Sequence, residues 1–196
     1  NLHKLSPLTL PKFCAICTIY KLITLCYTLN CKEQTHTRKE NGMDKRKKYY
    51  MVLDTETCNG LITEDEKLDL SQSLVYDIGW QVIDKKGNVY ASASYAIFEV
   101  FCEMRDVMSS AYYADKIPSY WDDIKNKERT LVRLSTARQK MIDDLNKYNI
   151  KVVMCHNASF DLRALNNTER YITKSKYRYF FPYGIEIWDT LKMAND

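Results

Sequence analysis

Apolar and polar positions change period several times along this chain, and each change marks an element. Tyr49–Thr55 begins with a continuous apolar, β-prone run, Tyr-Tyr-Met-Val-Leu, the pattern of a buried strand. Leu74–Ile83 and Asn88–Phe98 read as two more strands, joined by the hairpin turn Asp84-Lys85-Lys86-Gly87-Asn88. Glu99–Asp115 has a helical pattern, which Lys116-Ile117-Pro118-Ser119 breaks. Thr130–Tyr148 is the clearest helix: Leu131, Leu134, Ala137, Met141, Leu145 and Tyr148 recur at three- and four-residue steps, with charges between them. Lys151–Cys155 follows as a short β-branched strand. Ala158–Leu165 reads as a helix closed by Asn166-Asn167, Ile185–Trp188 as a strand after the Pro182-Tyr183-Gly184 turn, and Asp189–Ala194 as the start of a last helix.

The predicted order is β-β-β-α-β-α-β-α. The first three strands can form an antiparallel meander, and a helical crossover then returns the chain to a strand parallel to the first. The expectation is an α/β domain: a mixed sheet, part meander and part parallel, flanked by helices.

Charge separates the first part of the chain from the rest. Residues 1–48 hold 10 Lys+Arg and 3 Asp+Glu, a net +7, whereas residues 49–196 hold 19 and 22, a net −3. The apolar stretch Leu8–Leu29 is interrupted by Pro11, Lys12 and Lys21, short of the roughly 20 apolar residues of a membrane-spanning helix. It also lacks the small-residue cleavage site of a secretory signal. Met43 opens Met-Asp-Lys-Arg-Lys-Lys-Tyr-Tyr directly before the first strand. Residues 1–42 are therefore expected to be a leader or a mis-assigned upstream segment, and residues 43–196 the folded domain; a targeting or membrane-surface segment is the competing reading. Four of the seven cysteines, Cys14, Cys17, Cys26 and Cys31, lie in the first segment without a second CxxC or a His pair to complete a zinc site. Cys58, Cys102 and Cys155 are odd in number and far apart, which predicts free thiols in a reducing, cytoplasmic setting.

Candidate chemistry lies in two acidic clusters. In Leu53-Asp54-Thr55-Glu56-Thr57, side chains two apart on a strand share a face, so Asp54 and Glu56 stand side by side at a strand end. Two carboxylates held together repel unless a cation lies between them, and hard oxygen ligands suit Mg²⁺ or Mn²⁺. The alternative is a polar strand end entering a loop. In His156-Asn157-Ala158-Ser159-Phe160-Asp161, Asp161 falls in the first turn of a helix, where it either turns back toward the same sheet edge or complements the helix dipole.

Together with Tyr76-Asp77-Ile78-Gly79 and Trp188-Asp189-Thr190-Leu191, these clusters resemble the motifs of the DEDD 3′-to-5′ exonuclease superfamily, over about residues 49–194. That group includes polymerase proofreading subunits, RNase T and oligoribonuclease. The resemblance implies an RNase H-like fold and two-metal-ion hydrolysis at the 3′ ends of single-stranded DNA or RNA, by a freestanding enzyme, a homodimer or a polymerase partner. It implies Asp54, Glu56 and Asp161 as catalytic ligands of two Mg²⁺ or Mn²⁺ ions. It implies that Thr55, Thr57, Asn157 and Phe160 contact or support the terminal nucleotide, and that Asp189 is structural rather than a ligand. The family's third motif, which supplies a fourth Asp and a His or Tyr general base, should lie downstream of the helix that opens at Asp189. His156 occupies the second motif and is not that base. The expectation is therefore an incomplete site with weak activity or none; an inactive nucleic-acid-binding module on the same fold is the alternative.

Basic and aromatic residues interleave across Arg163–Tyr183: Arg163, Arg170, Lys174, Lys176 and Arg178 with Tyr171, Tyr177, Tyr179, Phe180, Phe181 and Tyr183. The pattern reads either as a single-strand platform or as a surface helix and loop whose aromatics close the core. Phe180 and Phe181, too apolar to leave in water, favour the second.

Overall fold

A computed structural model describes residues 47–58, 72–109, 111 and 113–194. The expectations for residues 1–42, including the cysteines there, lie outside the described residues. The strands are β1 (Tyr49–Cys58), β2 (Leu74–Asp84), β3 (Val89–Ile97), β4 (Thr130–Val132), β5 (Val152–Cys155) and β6 (Glu186–Asp189). They form one six-stranded sheet in the order β4-β3-β2-β1-β5-β6. β1, β2 and β3 are the antiparallel meander, while β1–β5, β5–β6 and β3–β4 pair in parallel. The expected α/β class holds, with a mixed sheet and helices around it.

β2 lies between β1 and β3 and is buried at all eleven positions, which explains its near-continuous apolar sequence. One face carries the main core. Met51 and Leu53 of β1 oppose Val82 and Trp80 of β2 there, and the helix α4 (Leu134–Lys147) adds Leu134, Ala137, Met141 and Leu145. Trp80 Nε1 donates to Asp144 Oδ2 at 2.9 Å and fixes α4 against the sheet. Helix α5 (Ala158–Thr173) is anchored through Thr168, whose hydroxyl accepts from the Val75 amide at 2.8 Å and donates to the Ala164 carbonyl at 2.7 Å. α5 follows β5 directly, so its first turn stands at the edge where β1 and β5 end.

The structure departs from the sequence pattern in four places. The helix expected over Glu99–Asp115 is two short turns, α1 (Phe98–Phe101) and α2 (Arg105–Met108), and a 3-10 turn at Ala114–Lys116. Its expected breaker begins a helix instead: α3 (Ile117–Lys125) carries Pro118 in its first turn, where a missing N–H costs no hydrogen bond. The helix expected from Thr130 starts at Leu134, because Thr130-Leu131-Val132, β-branched at its first and last residues, pairs with Tyr95–Ile97 as an edge strand. Asn166-Asn167 does not end α5, which runs to Thr173; Asn166 Oδ1 instead accepts from the Phe180 amide at 2.9 Å. The last short helix, α6, is Thr190–Met193.

Candidate active site

The ladder sets the positions of the acidic pair. Asp54 pairs with Gly79 and Glu56 with Asp77, and a register irregularity follows between Glu56 and Thr57. Alternation puts Asp54 and Glu56 on the face shared with Val52, and Thr55 on the face of Leu53. Gly79 has no side chain to cover Asp54. Burial, followed by the charges of Asp161 and Glu56, pushes Asp54 up to about 8. Burial and the charge of Asp77 push Glu56 up to about 7, and Lys116 opposes that rise. No cationic side chain figures among the main influences on Asp54.

Asp161 reaches this strand end from the helix side. It is buried, and its Oδ1 accepts from Thr55 Oγ1 at 2.7 Å, across 106 residues of sequence. Burial raises Asp161 to about 6, against the pull of the Thr55 hydroxyl. Asn157 makes the turn from β5 into α5 possible. Its φ of 63° and ψ of 51° lie in the left-handed region, which asparagine tolerates better than most residues.

The junction is tied to β6 and α6. Asp189 Oδ1 accepts from the amides of Asn157 and Leu191, each at 3.1 Å. Slight burial pushes Asp189 up, but backbone amides outweigh it and hold the group below its ordinary value. This carboxylate is engaged in holding the junction. His156 is exposed, with Nδ1 3.2 Å from Thr190 Oγ1. Asn157 is exposed as well. Thr57 and Phe160 are half-buried, while Thr55 is 7% exposed with its hydroxyl committed to Asp161.

A buried network absent from the sequence reading stands behind Glu56. Asp77, its ladder partner, is fully buried, and its Oδ2 accepts from Arg129 Nη1 at 2.6 Å and from the Tyr120 hydroxyl at 2.8 Å. The Arg129 guanidinium lies 3.7 Å from the Tyr120 ring centroid. A charged residue inside the largely apolar run of β2 was the available signal, since a buried charge requires a partner. Its partner comes 52 residues later, with no periodicity to announce it.

In donor chemistry, Asp54, Glu56 and Asp161 fit a hard divalent cation: burial raises all three, Asp161 and Glu56 raise Asp54, and Asp161 raises Glu56, a repulsion that a cation would relieve. Their arrangement is not a closed cage. Among the described residues, no three His, Cys, Asp or Glu side chains stand ready to hold one ion.

No protein-family model and no curated protein sequence matches this chain. Among solved structures it is similar to the nuclease domain of 3'hExo, a DEDDh family member, bound to rAMP. The identity is 10%, the TM-score 0.40, and the match covers 70% of this chain and 65% of that one. The chain thus spans a little under two thirds of that structure's length.

Proposed function

We propose that this chain is a metal-dependent nuclease of the DEDD type that removes nucleotides from the 3′ ends of single-stranded DNA or RNA. One observation carries the reading: the 2.7 Å bond from Thr55 to Asp161, which joins the second acidic cluster to the strand end that holds the first. Asp54, Glu56 and Asp161 would hold the ions, with Mg²⁺ or Mn²⁺ as the candidates by donor hardness. Two such ions, when bound, activate a water and stabilise the leaving 3′ oxygen.

The chain's own residues supply the setting. Burial raises the three carboxylates, with repulsion adding to it at Asp54 and Glu56, so loading with metal is coupled to release of protons. Thr55 keeps Asp161 oriented through its hydroxyl. Thr57 and Asn157, at the strand end and the β5–α5 turn, are the groups nearest in sequence to the acids for touching a terminal nucleotide, with Phe160 supporting them. Asp77 is not a further ligand in this reading, because Arg129 and Tyr120 already engage it. The free thiols of Cys58, Cys102 and Cys155 accord with a reducing compartment. Among the described residues no helix is long and apolar enough to cross a membrane.

The second reading, a nucleic-acid-binding module without catalysis, draws on the open arrangement of the three acids. Digestion of a 5′-labelled single strand separates the two. The nuclease reading expects a ladder of products shortened from the 3′ end, dependent on Mg²⁺ or Mn²⁺, and lost in Asp54→Ala and Asp161→Ala. Cleavage that survives a chelator or Asp54→Ala overturns it, and binding without any product at millimolar Mn²⁺ favours the module.

A further inference from the structure

The end of α5 and the loop that follows carry a second concentration of side chains, remote from the carboxylates. Residues 163–183 hold five Lys+Arg against the single acid Glu169, a net +4. The other residues between 49 and 196 then carry −7, so the segment is a basic island on an acidic body.

Its aromatic residues divide into two sets. Phe180 is fully buried and meets Phe181 edge-on, with ring centroids 5.4 Å apart. Its amide donates to Asn166 Oδ1, and its carbonyl accepts from Arg138 Nε at 2.6 Å. This clamp pins the loop to the core. The tyrosines on either side remain outside: Tyr171, Tyr177, Tyr179 and Tyr183 are 46%, 81%, 61% and 108% exposed. Cations accompany three of them, with Lys174 4.0 Å from the Tyr171 centroid, Arg170 5.1 Å from Tyr179 and Lys176 5.9 Å from Tyr177. Arg170 Nε also donates to the Arg178 carbonyl at 3.1 Å, which ties the loop to the helix.

Flat exposed rings among cations, on a backbone already fixed, are what a flexible polyanion with stacking bases requires. We propose that the C-terminal end of α5 and the 174–183 loop form a docking surface for single-stranded nucleic acid, separate from the carboxylate site. Tyr171, Tyr177 and Tyr179 stack on bases, and Lys174, Lys176 and Arg178 lie along phosphates. Along α5, Thr173 is about 18 Å from Asp161 at 1.5 Å per residue, so a strand with its 3′ end at the acids could reach the surface with a segment a few nucleotides upstream. The choice of a polynucleotide over an acidic protein rests on the nuclease reading.

The test is fluorescence anisotropy of 5′-labelled oligothymidylate with the full chain, in EDTA so that no strand is cut. The expected result is binding that weakens steeply with salt. Tyr177→Ala/Tyr179→Ala should raise Kd roughly tenfold or more, and Lys174→Gln/Lys176→Gln should weaken binding and flatten its salt dependence. All four side chains are exposed, so melting temperatures should not change. Unaltered affinity in the tyrosine pair overturns the proposal, as does polyglutamate of equal length binding as tightly. The two readings fail separately. Binding that obeys these rules with no cleavage in Mn²⁺ removes the nuclease and leaves the surface; cleavage with no effect of the tyrosine pair on binding does the reverse.

Discussion

At the start of β1, opposite Tyr49, Asp84 accepts hydrogen bonds from the Lys86 and Asn88 amides at 2.8 and 3.1 Å, from Asn88 Nδ2 at 3.0 Å and from the Tyr90 hydroxyl at 2.9 Å. Lys47 Nζ lies 3.9 Å away. At the other end of the same strand pair, Asp54 and Glu56 face each other's charge and those of Asp161 and Asp77. The donors at the first end come from within six residues of Asp84, so the hairpin that positions the carboxylate also satisfies it. The acids at the second end come from β1 and from the first turn of α5, and like charge figures among the main influences on Asp54 and Glu56, while the Thr55 hydroxyl donates to Asp161. An acid that serves the fold is engaged by donors, local ones in the case of Asp84. Acids left mutually repelling at a strand end are the ones available to an outside cation, at a cost in stability that function can justify.

Asp77 gives the strongest way to break this comparison, because it lies at the second end yet behaves like the first. Burial pushes it up, and Arg129 and Tyr120 pull it back. If it belongs to the fold, Asp77→Ala leaves the buried Arg129 guanidinium without its main counter-charge and should cost ~3–5 kcal/mol. Urea unfolding measures this. A loss below ~1 kcal/mol, accompanied by loss of divalent-ion binding, would move Asp77 into the site instead.

Asp54→Asn should act in the opposite direction. It removes one of the repelling charges while keeping the shape, so the metal-free protein should gain ~1–2 kcal/mol near pH 8. Melting in chelator measures the gain. Added Mn²⁺ should then raise the melting temperature of the parent and not of the variant. A variant less stable than the parent in chelator would show that Asp54 is satisfied within the fold, and the contrast between the two ends would disappear.

Much of this was legible along the chain, and the gaps have physical causes. β1 and β2 announce themselves by apolar β-branched and aromatic runs, which the buried centre of the sheet needs, while β3, half-buried or exposed over most of its length, follows from the hairpin turn. The hairpin is equally local, with Gly87 at φ 79° where the turn needs it. The Asp54/Glu56 pair and Asp161 follow from strand alternation and from the first turn of α5. Segment 99–115 does not form the single helix its pattern suggests, because its apolar residues Val100, Phe101 and Met108 are core contacts of a broken path and not one helix face. The Thr55–Asp161 bond and the Asp77–Arg129–Tyr120 network span 43 to 106 residues and leave no period in the sequence. In segment 163–183, burial of Phe180 was legible from its apolarity, but the outward orientation of the four tyrosines depended on the Asn166 and Arg138 clamps.

The smallest effect belongs to the locally saturated end, and pH is the variable that exposes it. Slight burial pushes the Asp84 carboxyl up, but the Asn88, Lys86 and Tyr90 donors outweigh this and hold it below its usual value of 3.8. A group whose folded value is depressed contributes stability that is fully present above the unfolded value and lost as pH falls through the folded one. Asp84→Ala should therefore cost ~1–2 kcal/mol at pH 7, from lost hydrogen bonds. The gap between parent and variant should narrow once pH drops below 3.8. Urea midpoints at neutral pH and in this acid range measure both numbers. A gap of the same size in acid would assign the effect to hairpin geometry alone, with no part played by the ionised carboxylate, and the donors gathered around Asp84 would then say nothing about charge at this end of the sheet.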